Sequence, residues 1–242
     1  MNDITLDSIR DIRIYQSKTG YRFSVDALLL FDFVNIKAVK KIADLGAGSG
    51  VIGLLLAKKY LKADVFMFEI QNALAELAER NVSLNNLGDR VRVVRADIKG
   101  YVSEGLSGSF DVVVSNPPFR KNKSGRLNLE DEKTVARHEI AVCLDDFIRF
   151  SRILLRERGR FCMIHHPSRL AEHIRKLQEK GLEPKRVRFV HSNISTEAKM
   201  VLMEAVKGGR AGLVVERPFY LYNADGSYTA ETMEMYKAGE LI

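Results

Sequence analysis

Asp44-Leu45-Gly46-Ala47-Gly48-Ser49-Gly50 stands between a short strand start, Lys41 to Asp44, and a helical run, Val51 to Tyr60. Glycines at a strand-to-helix turn let the backbone approach a ligand closely, because no Cβ intrudes. An acid closes the first strand, which separates this stretch from a dinucleotide fingerprint. A carboxylate there repels a pyrophosphate and suits a ligand with an ammonium group and no phosphates. Ligands of open α/β sheets bind at the carboxyl ends of the strands, so the heptapeptide predicts a fold and a site together.

Outward from it, strand and helix patterns alternate from about residue 40 to residue 190. Strands are expected at Asp64 to Phe68, Val91 to Arg95, Phe110 to Val114 and Arg160 to Ile164. Helices are expected at Ala73 to Asn86, from about Ile140 to Leu155 with Gly159 ending it, and at Ser168 to Lys180 closed by Gly181. Two later strands, Lys185 to His191 and Lys199 to Val206, have no helix between them and should pair antiparallel as an edge. A further extended piece is expected over Ala211 to Tyr222. The prediction is a doubly wound, mostly parallel seven-stranded α/β sheet, Rossmann-like, with an antiparallel C-terminal edge. It reads as a single domain over 1–242, with 1–35 as an N-terminal cap and 36–242 as the core with a C-terminal extension.

The 242 residues, 46% hydrophobic and 29% charged, suffice for a full core. The net charge of +7 points modestly towards a polyanionic partner. Met1-Asn2-Asp3-Ile4 lacks a signal-peptide pattern, and no apolar run nears the roughly 20 residues that span a bilayer. Cys143 and Cys162 have no metal-ligand spacing and read as two core thiols of a cytoplasmic protein. His165 and His166 lack a third ligand at zinc spacing, so no metal is expected.

Glu69 closes the second strand, 19 residues after Gly50, where an acid can accept both ribose hydroxyls of an adenosine. Asp97 follows the third strand and can accept from an adenine amine. Either alone reads equally well as a helix cap or a solvated end. Three acids at three successive strand ends match one nucleoside with a cationic tail. S-adenosylmethionine fits that description; NAD and ATP fit it poorly.

Asn116-Pro117-Pro118-Phe119 follows the buried run Phe110 to Val114. An Asn beside two prolines makes a rigid, acceptor-rich corner for a planar amine, although in an unknown fold it is also a common turn. With the glycine motif upstream, the combination resembles the class I methyltransferases that modify exocyclic amines. That resemblance implies catalytic roles for Asn116, Pro117 and Phe119, with Asn116 also among the cofactor-binding residues and Phe119 stacking on a flipped base.

The ends of the chain narrow the resemblance. Gly20-Tyr21-Arg22-Phe23-Ser24-Val25-Asp26-Ala27-Leu28-Leu29-Leu30 is similar to the N-terminal signature of the bacterial tRNA1(Val) adenine-N6 methyltransferase family. So are Ala136-Arg137-His138-Glu139, the run Arg217-Pro218-Phe219-Tyr220-Leu221-Tyr222, and Gly226-Ser227-Tyr228-Thr229. The family methylates the adenine 3′ to the anticodon of one valine tRNA. The resemblance implies that Tyr21, Arg22 and Asp26 close over the cofactor, and that His138 and Glu139 could line the base pocket.

Arg120, Lys121, Lys123 and Arg126 directly follow the transfer motif and are the best candidates for phosphate contact with a tRNA substrate. Arg149, Arg152, Arg156, Arg158 and Arg160 form a second basic stretch, the first three expected on one helix face. The same transfer motif serves glutamine N5 methyltransferases of release factors, guanine N2 methyltransferases of ribosomal RNA and DNA adenine methyltransferases. The short N-terminus argues against the glutamine enzymes. The intact acids, glycines and Asn116 argue against a non-catalytic RNA-binding module.

Overall fold

The structure, a computed structural model, describes residues 4–18, 24–101, 105–117 and 144–237. It begins with a feature absent from the sequence expectation. Strands β1 (Ile4–Ile9) and β2 (Ile12–Ser17) form an antiparallel hairpin within the expected cap. Ile12 and Ile14 are fully buried, while Arg13 between them faces out, the period-2 alternation of a half-buried strand. Helix α1 (Val25–Phe33) follows, apolar nearly all round, with Ala27 to Phe31 and Phe33 buried. Such a helix must be covered on every side. It packs on helix α2, described next, and on the sheet.

The core alternates as expected: β3 (Lys41–Leu45), α2 (Val51–Lys59), β4 (Asp64–Glu69), α3 (Asn72–Leu84), β5 (Val91–Arg95) and β6 (Phe110–Ser115). Then come α4 (Leu144–Leu154), β7 (Leu155–His165), a short 3-10 turn over Pro167–Arg169, and α5 (Leu170–Glu179). The chain continues through β8 (Leu182–His191), β9 (Ala198–Lys207), β10 (Val214–Val215), β11 (Phe219–Tyr220) and α6 (Ala230–Tyr236).

Seven long strands lie in the order β8-β9-β7-β6-β3-β4-β5. β7-β6-β3-β4-β5 are parallel, and β9 runs antiparallel between β7 and β8. The two C-terminal strands thus pair with each other, but β9 inserts beside β7 and leaves β8 outermost of the seven. The expected extended piece is two dipeptide strands, β10 and β11, parallel to β8, which raises the sheet to nine strands. β3 and β6 are buried along nearly their whole length, as central parallel strands covered on both faces must be. One core layer joins α1, α2 and the hairpin; the other joins α4 and α5.

The largest boundary difference lies between α4 and β7. α4 ends at Leu154 and β7 starts at the next residue, so Gly159 lies inside a strand and does not end a helix. Arg158 adopts a left-handed φ of 65° at a register shift against β6. A Cβ on Gly159 would stand 2.9 Å from the carbonyl oxygens of both Arg156 and Phe110, so the close approach requires glycine there. The apolar periodicity of α4 runs on into Leu155, which hid the change of element. Arg156 consequently leaves the helix face shared by Arg149 and Arg152. It pairs with Asp111 at 2.6 Å, and Arg160 pairs with the buried Glu204. These two side chains are structural ties.

Candidate active site

The order of strands along the sheet reverses between β3 and β6, because chain order runs outward from β3 through β4 to β5 and the other way from β6 to β7. At such a switch point the flanking loops diverge and leave a crevice. Leu45 pairs with Ser115, and the Ser115 hydroxyl donates to the Leu45 carbonyl at 3.0 Å. Gly46 and Asn116 are the next residues on each strand. They leave the sheet one strand spacing apart, about 4.8 Å.

The glycine turn is held from several sides. The N–H groups of Gly46 and Ala47 both donate to the Phe68 carbonyl, at 2.9 and 3.0 Å. Gly46, Gly48 and Gly50 all have left-handed φ, of 71°, 57° and 90°, which side chains disfavour. A Cβ on Gly50 would also meet the Met67 sulfur at 3.1 Å. The Ala96 N–H donates to the Glu69 carbonyl at 3.1 Å, so the ends of β3, β4 and β5 are stitched in a row.

Two of the three acids are buried in this turn. Asp44 is 1% exposed; one oxygen accepts the Gly53 N–H at 2.9 Å, and the other has no partner. Burial, with Glu69 adding repulsion, pushes its carboxyl up to about 7. Glu69 is 4% exposed and accepts from the Gly48 N–H at 2.8 Å and the Gln71 N–H at 2.9 Å. No Lys, Arg or His among the described residues pairs with either. Asp97 is exposed, and one of its oxygens accepts the Lys99 N–H at 2.9 Å, as a turn cap. Asp26 is half-buried in the first turn of α1, bonded to Ser24, and burial raises its carboxyl.

Buried carboxylates without cations are costly unless a ligand supplies the charge. The orphaned Asp44 oxygen and the glycine cradle therefore fit a ligand with a cationic tail, and they fit a pyrophosphate poorly. S-adenosylmethionine fits that donor set: one Asp44 oxygen is free to accept from an ammonium, and each Glu69 oxygen keeps a lone pair that could accept a ribose hydroxyl.

Asn116 is half-buried directly after β6, and Pro117 is buried. Pro118, Phe119, Arg120, Lys121, Lys123, Arg126, His138, Glu139 and Cys143 lie outside the described residues, as do Tyr21 and Arg22. Cys162 is a buried free thiol whose pKa burial raises. Among the described residues no cluster of His, Cys, Asp and Glu could hold a metal, and no helix is long and apolar enough to cross a membrane.

Two features of the site escaped the sequence expectation. Asn81, fully buried in α3, donates to the carbonyls of Ser49 at 2.9 Å and Tyr15 at 3.1 Å, and accepts the Tyr15 N–H at 2.7 Å. It clamps the N-terminal hairpin to the glycine turn. Beside the transfer corner, His165 lies two residues past the Ser115–Met163 pair, level with Pro117. Its ring meets His173 edge-on at 4.3 Å, and both are buried. Burial drives each imidazole down to about 4, and neither ring nitrogen of His173 has a partner.

A sheet of this order, with a glycine turn and acids at the switch point, defines the Rossmann-like methyltransferase class. Solved structures agree in fold. A predicted O-methyltransferase from Agrobacterium tumefaciens superposes with TM-score 0.70 at 24% identity, covering 90% of this chain and all of that one. The T. Thermophilus 16S rRNA N2 methyltransferase, in complex with AdoMet and guanosine, gives 0.60 at 20% identity, over 86% of this chain and 51% of that chain. The family model described as Methyltransferase small domain matches residues 23–180.

Among curated relatives, the tRNA1(Val) (adenine(37)-N6)-methyltransferase of Trichodesmium erythraeum is 30% identical over 82% of each chain. The protein of the same name from Phocaeicola vulgatus is 26% identical over 95% of this chain and 96% of its own. The chain belongs to the methyltransferase small domain family and, within it, to the tRNA1(Val) (adenine-N6)-methyltransferases.

Proposed function

We propose that this chain transfers a methyl group from S-adenosylmethionine to the exocyclic N6 amine of an adenine in tRNA, next to the anticodon of a valine tRNA. The observation that carries the reading is the pairing of Leu45 with Ser115. It sets a glycine turn with uncompensated buried acids one strand away from Asn116. The names of the relatives point to the same substrate.

When bound, S-adenosylmethionine supplies an electrophilic methyl on a sulfonium. The protein's part is placement. Asp44 holds the ammonium end, Glu69 the ribose and Asp97 the adenine amine, while the glycines let the backbone close on the ligand. Tyr21, Arg22 and Asp26 close over it. An adenine amine is a weak nucleophile because its lone pair is delocalised into the ring. The Asn116 side-chain oxygen and the Pro117 carbonyl accept its two hydrogens, hold the nitrogen and favour its pyramidal form. The lone pair then faces the methyl. Positioning and fixed dipoles supply most of the rate, and no strong base is needed, since the methylated nitrogen loses its proton readily. Phe119 stacks on the extruded base. Arg120, Lys121, Lys123 and Arg126 contact tRNA phosphates, and such a substrate places the protein's work in the cytoplasm.

The test is transfer from labelled S-adenosylmethionine to unmodified tRNA, ribosomal RNA, DNA and release-factor protein, with the product identified by mass spectrometry. N6-methyladenosine in tRNA alone is the expected result. Methylglutamine, methylguanosine or methylated DNA would keep the fold and replace the substrate.

A further inference from the structure

The C-terminal motif, Arg217 to Tyr222 with Gly226 to Thr229, takes no part in the site described above. It folds into a tight corner in which Tyr222 and Tyr228 bridge antiparallel, and the Asn223 N–H donates to the Ser227 carbonyl at 2.8 Å. Buried Phe219 and Leu221, with the Thr229 and Thr232 hydroxyls on the Tyr220 and Leu221 carbonyls, fasten this corner to the fold. None of that needs the tyrosine rings. Yet Tyr222 and Tyr228 stack with centroids 5.2 Å apart and planes 18° apart, and Tyr236 of α6 continues the row at 5.6 Å. The three tyrosines are 38%, 44% and 39% exposed; Met233, one turn before Tyr236 in α6, is 52% exposed, and Ile194, two residues past Ser192, is 75% exposed. An exposed row of packed aromatic rings is suited to be a binding surface.

Its place in the fold points to the occupant. The row across the sheet from Leu45 and Ser115 runs through Met163, Met203 and Val187. Tyr220 pairs with His191 beyond that row, and the Tyr222 N–H donates to the Ser192 carbonyl at 2.8 Å. The tyrosines therefore stand at the same end of the sheet as Asn116. Four strand spacings separate β6 from β11, roughly 19 Å. That lateral distance is within reach of an RNA strand that has one base at Asn116.

The charges around the corner are mixed. Glu231 pairs with Arg188 and Glu234 with Lys237, Asp225 stays ionised under hydrogen bonds from Ser227, and exposed Arg217 and Lys199 supply positive charge.

We infer that Tyr222, Tyr228 and Tyr236 form a stacking platform for an unpaired base of the RNA substrate, flanking the adenine that is methylated. This rests on the adenine-in-tRNA reading above. Stacking on aromatic rings tolerates any base, so the platform adds affinity and register without reading sequence.

The experiment compares wild type, Tyr222→Ala/Tyr228→Ala and Tyr222→Phe/Tyr228→Phe. It measures tRNA affinity, the KM and kcat of methyl transfer, S-adenosylmethionine affinity and oligomeric state. The Ala pair is expected to bind tRNA about tenfold or more weaker, within the range for losing a stacked base. That loss should appear in KM, with S-adenosylmethionine affinity unchanged, and the Phe pair should behave as wild type. Full tRNA affinity in the Ala pair, with wild type still methylating tRNA, would overturn the platform and leave the proposed function standing. Failure of the wild type to methylate tRNA would overturn the proposed function. In that case ring-dependent RNA binding would still support the platform, and ring-independent binding or none would end it. A wild-type dimer dissociated by the Ala pair would assign the corner to contact between copies of the chain and overturn the inference. A single Tyr228→Ala variant provides the same readouts if the double variant folds poorly.

Discussion

The side-chain amide of Asn81 donates to the Ser49 carbonyl at 2.9 Å, from the middle of α3 into the glycine turn. The same amide takes both polar groups of the Tyr15 backbone. A single residue of α3 therefore sets the turn against the hairpin, and the hairpin edge braces the glycine turn.

Asn81→Ala would leave up to three backbone groups without their partner. Each such group costs roughly 1–3 kcal/mol when buried. The variant is expected to lose about 3 kcal/mol of stability and to bind S-adenosylmethionine more weakly, as read by chemical denaturation and calorimetry. Unchanged values of both would show that the clamp does not matter.

Asp44 titrates at about 7 in the free protein, against 3.8 for the exposed carboxyl. An ammonium-bearing ligand needs its ionised form. S-adenosylmethionine affinity is therefore expected to rise with pH through about 7, and Asp44→Asn should be weaker and flatter. For stability the sign is opposite. The unfolded chain loses this proton near 3.8 and the folded one near 7, so between those values the unfolded state holds fewer protons and stability falls as pH rises.

His165 and His173 act the other way. Each is held neutral down to about 4, against 6.5 when exposed. Between 6.5 and 4 the unfolded state binds more protons, so stability is complete above 6.5 and is lost as pH falls through that window. Arg169 and Lys176 beside them disfavour the charged forms further, and Glu172 opposes that in part. Melting temperature against pH in an Asp44→Asn background removes the opposing Asp44 contribution. His173→Phe should flatten the curve, and a curve of wild-type steepness would contradict the assignment.

Much of the fold was legible in the sequence because parallel strands buried on both faces read as short apolar runs, as at Ile42 to Leu45 and Phe110 to Val114. The hairpin was not. Its two-residue loop is Arg10-Asp11, and Arg10 takes a left-handed φ of 50° that usually selects glycine or asparagine. Tertiary contact stabilises it: Arg10 donates to the Met235 carbonyl and lies over the Phe31 ring at 5.0 Å. Asn81 was missed for a related reason. An amide inside a helix reads as a solvent-facing residue until the backbone it serves, here more than sixty residues away in sequence, is brought beside it. The buried acids at Asp44 and Glu69 were legible, because spacing alone places them at neighbouring strand ends. Their contacts to the Gly53 and Gly48 N–H groups were not.

On the proposed reading, Asn116→Ala removes an acceptor used at the transfer step. Turnover is expected to fall by about 10²-fold or more while S-adenosylmethionine affinity changes less. Equal losses in both would move Asn116 from the transfer step to the cofactor pocket.

The most direct test of the central claim is nucleoside mass spectrometry and position mapping of unmodified valine tRNA after incubation with the protein and S-adenosylmethionine. The account predicts N6-methyladenosine on the 3′ side of the anticodon, absent with Asn116→Ala. An unmodified tRNA, or a methyl group on any atom other than an adenine N6, would contradict it.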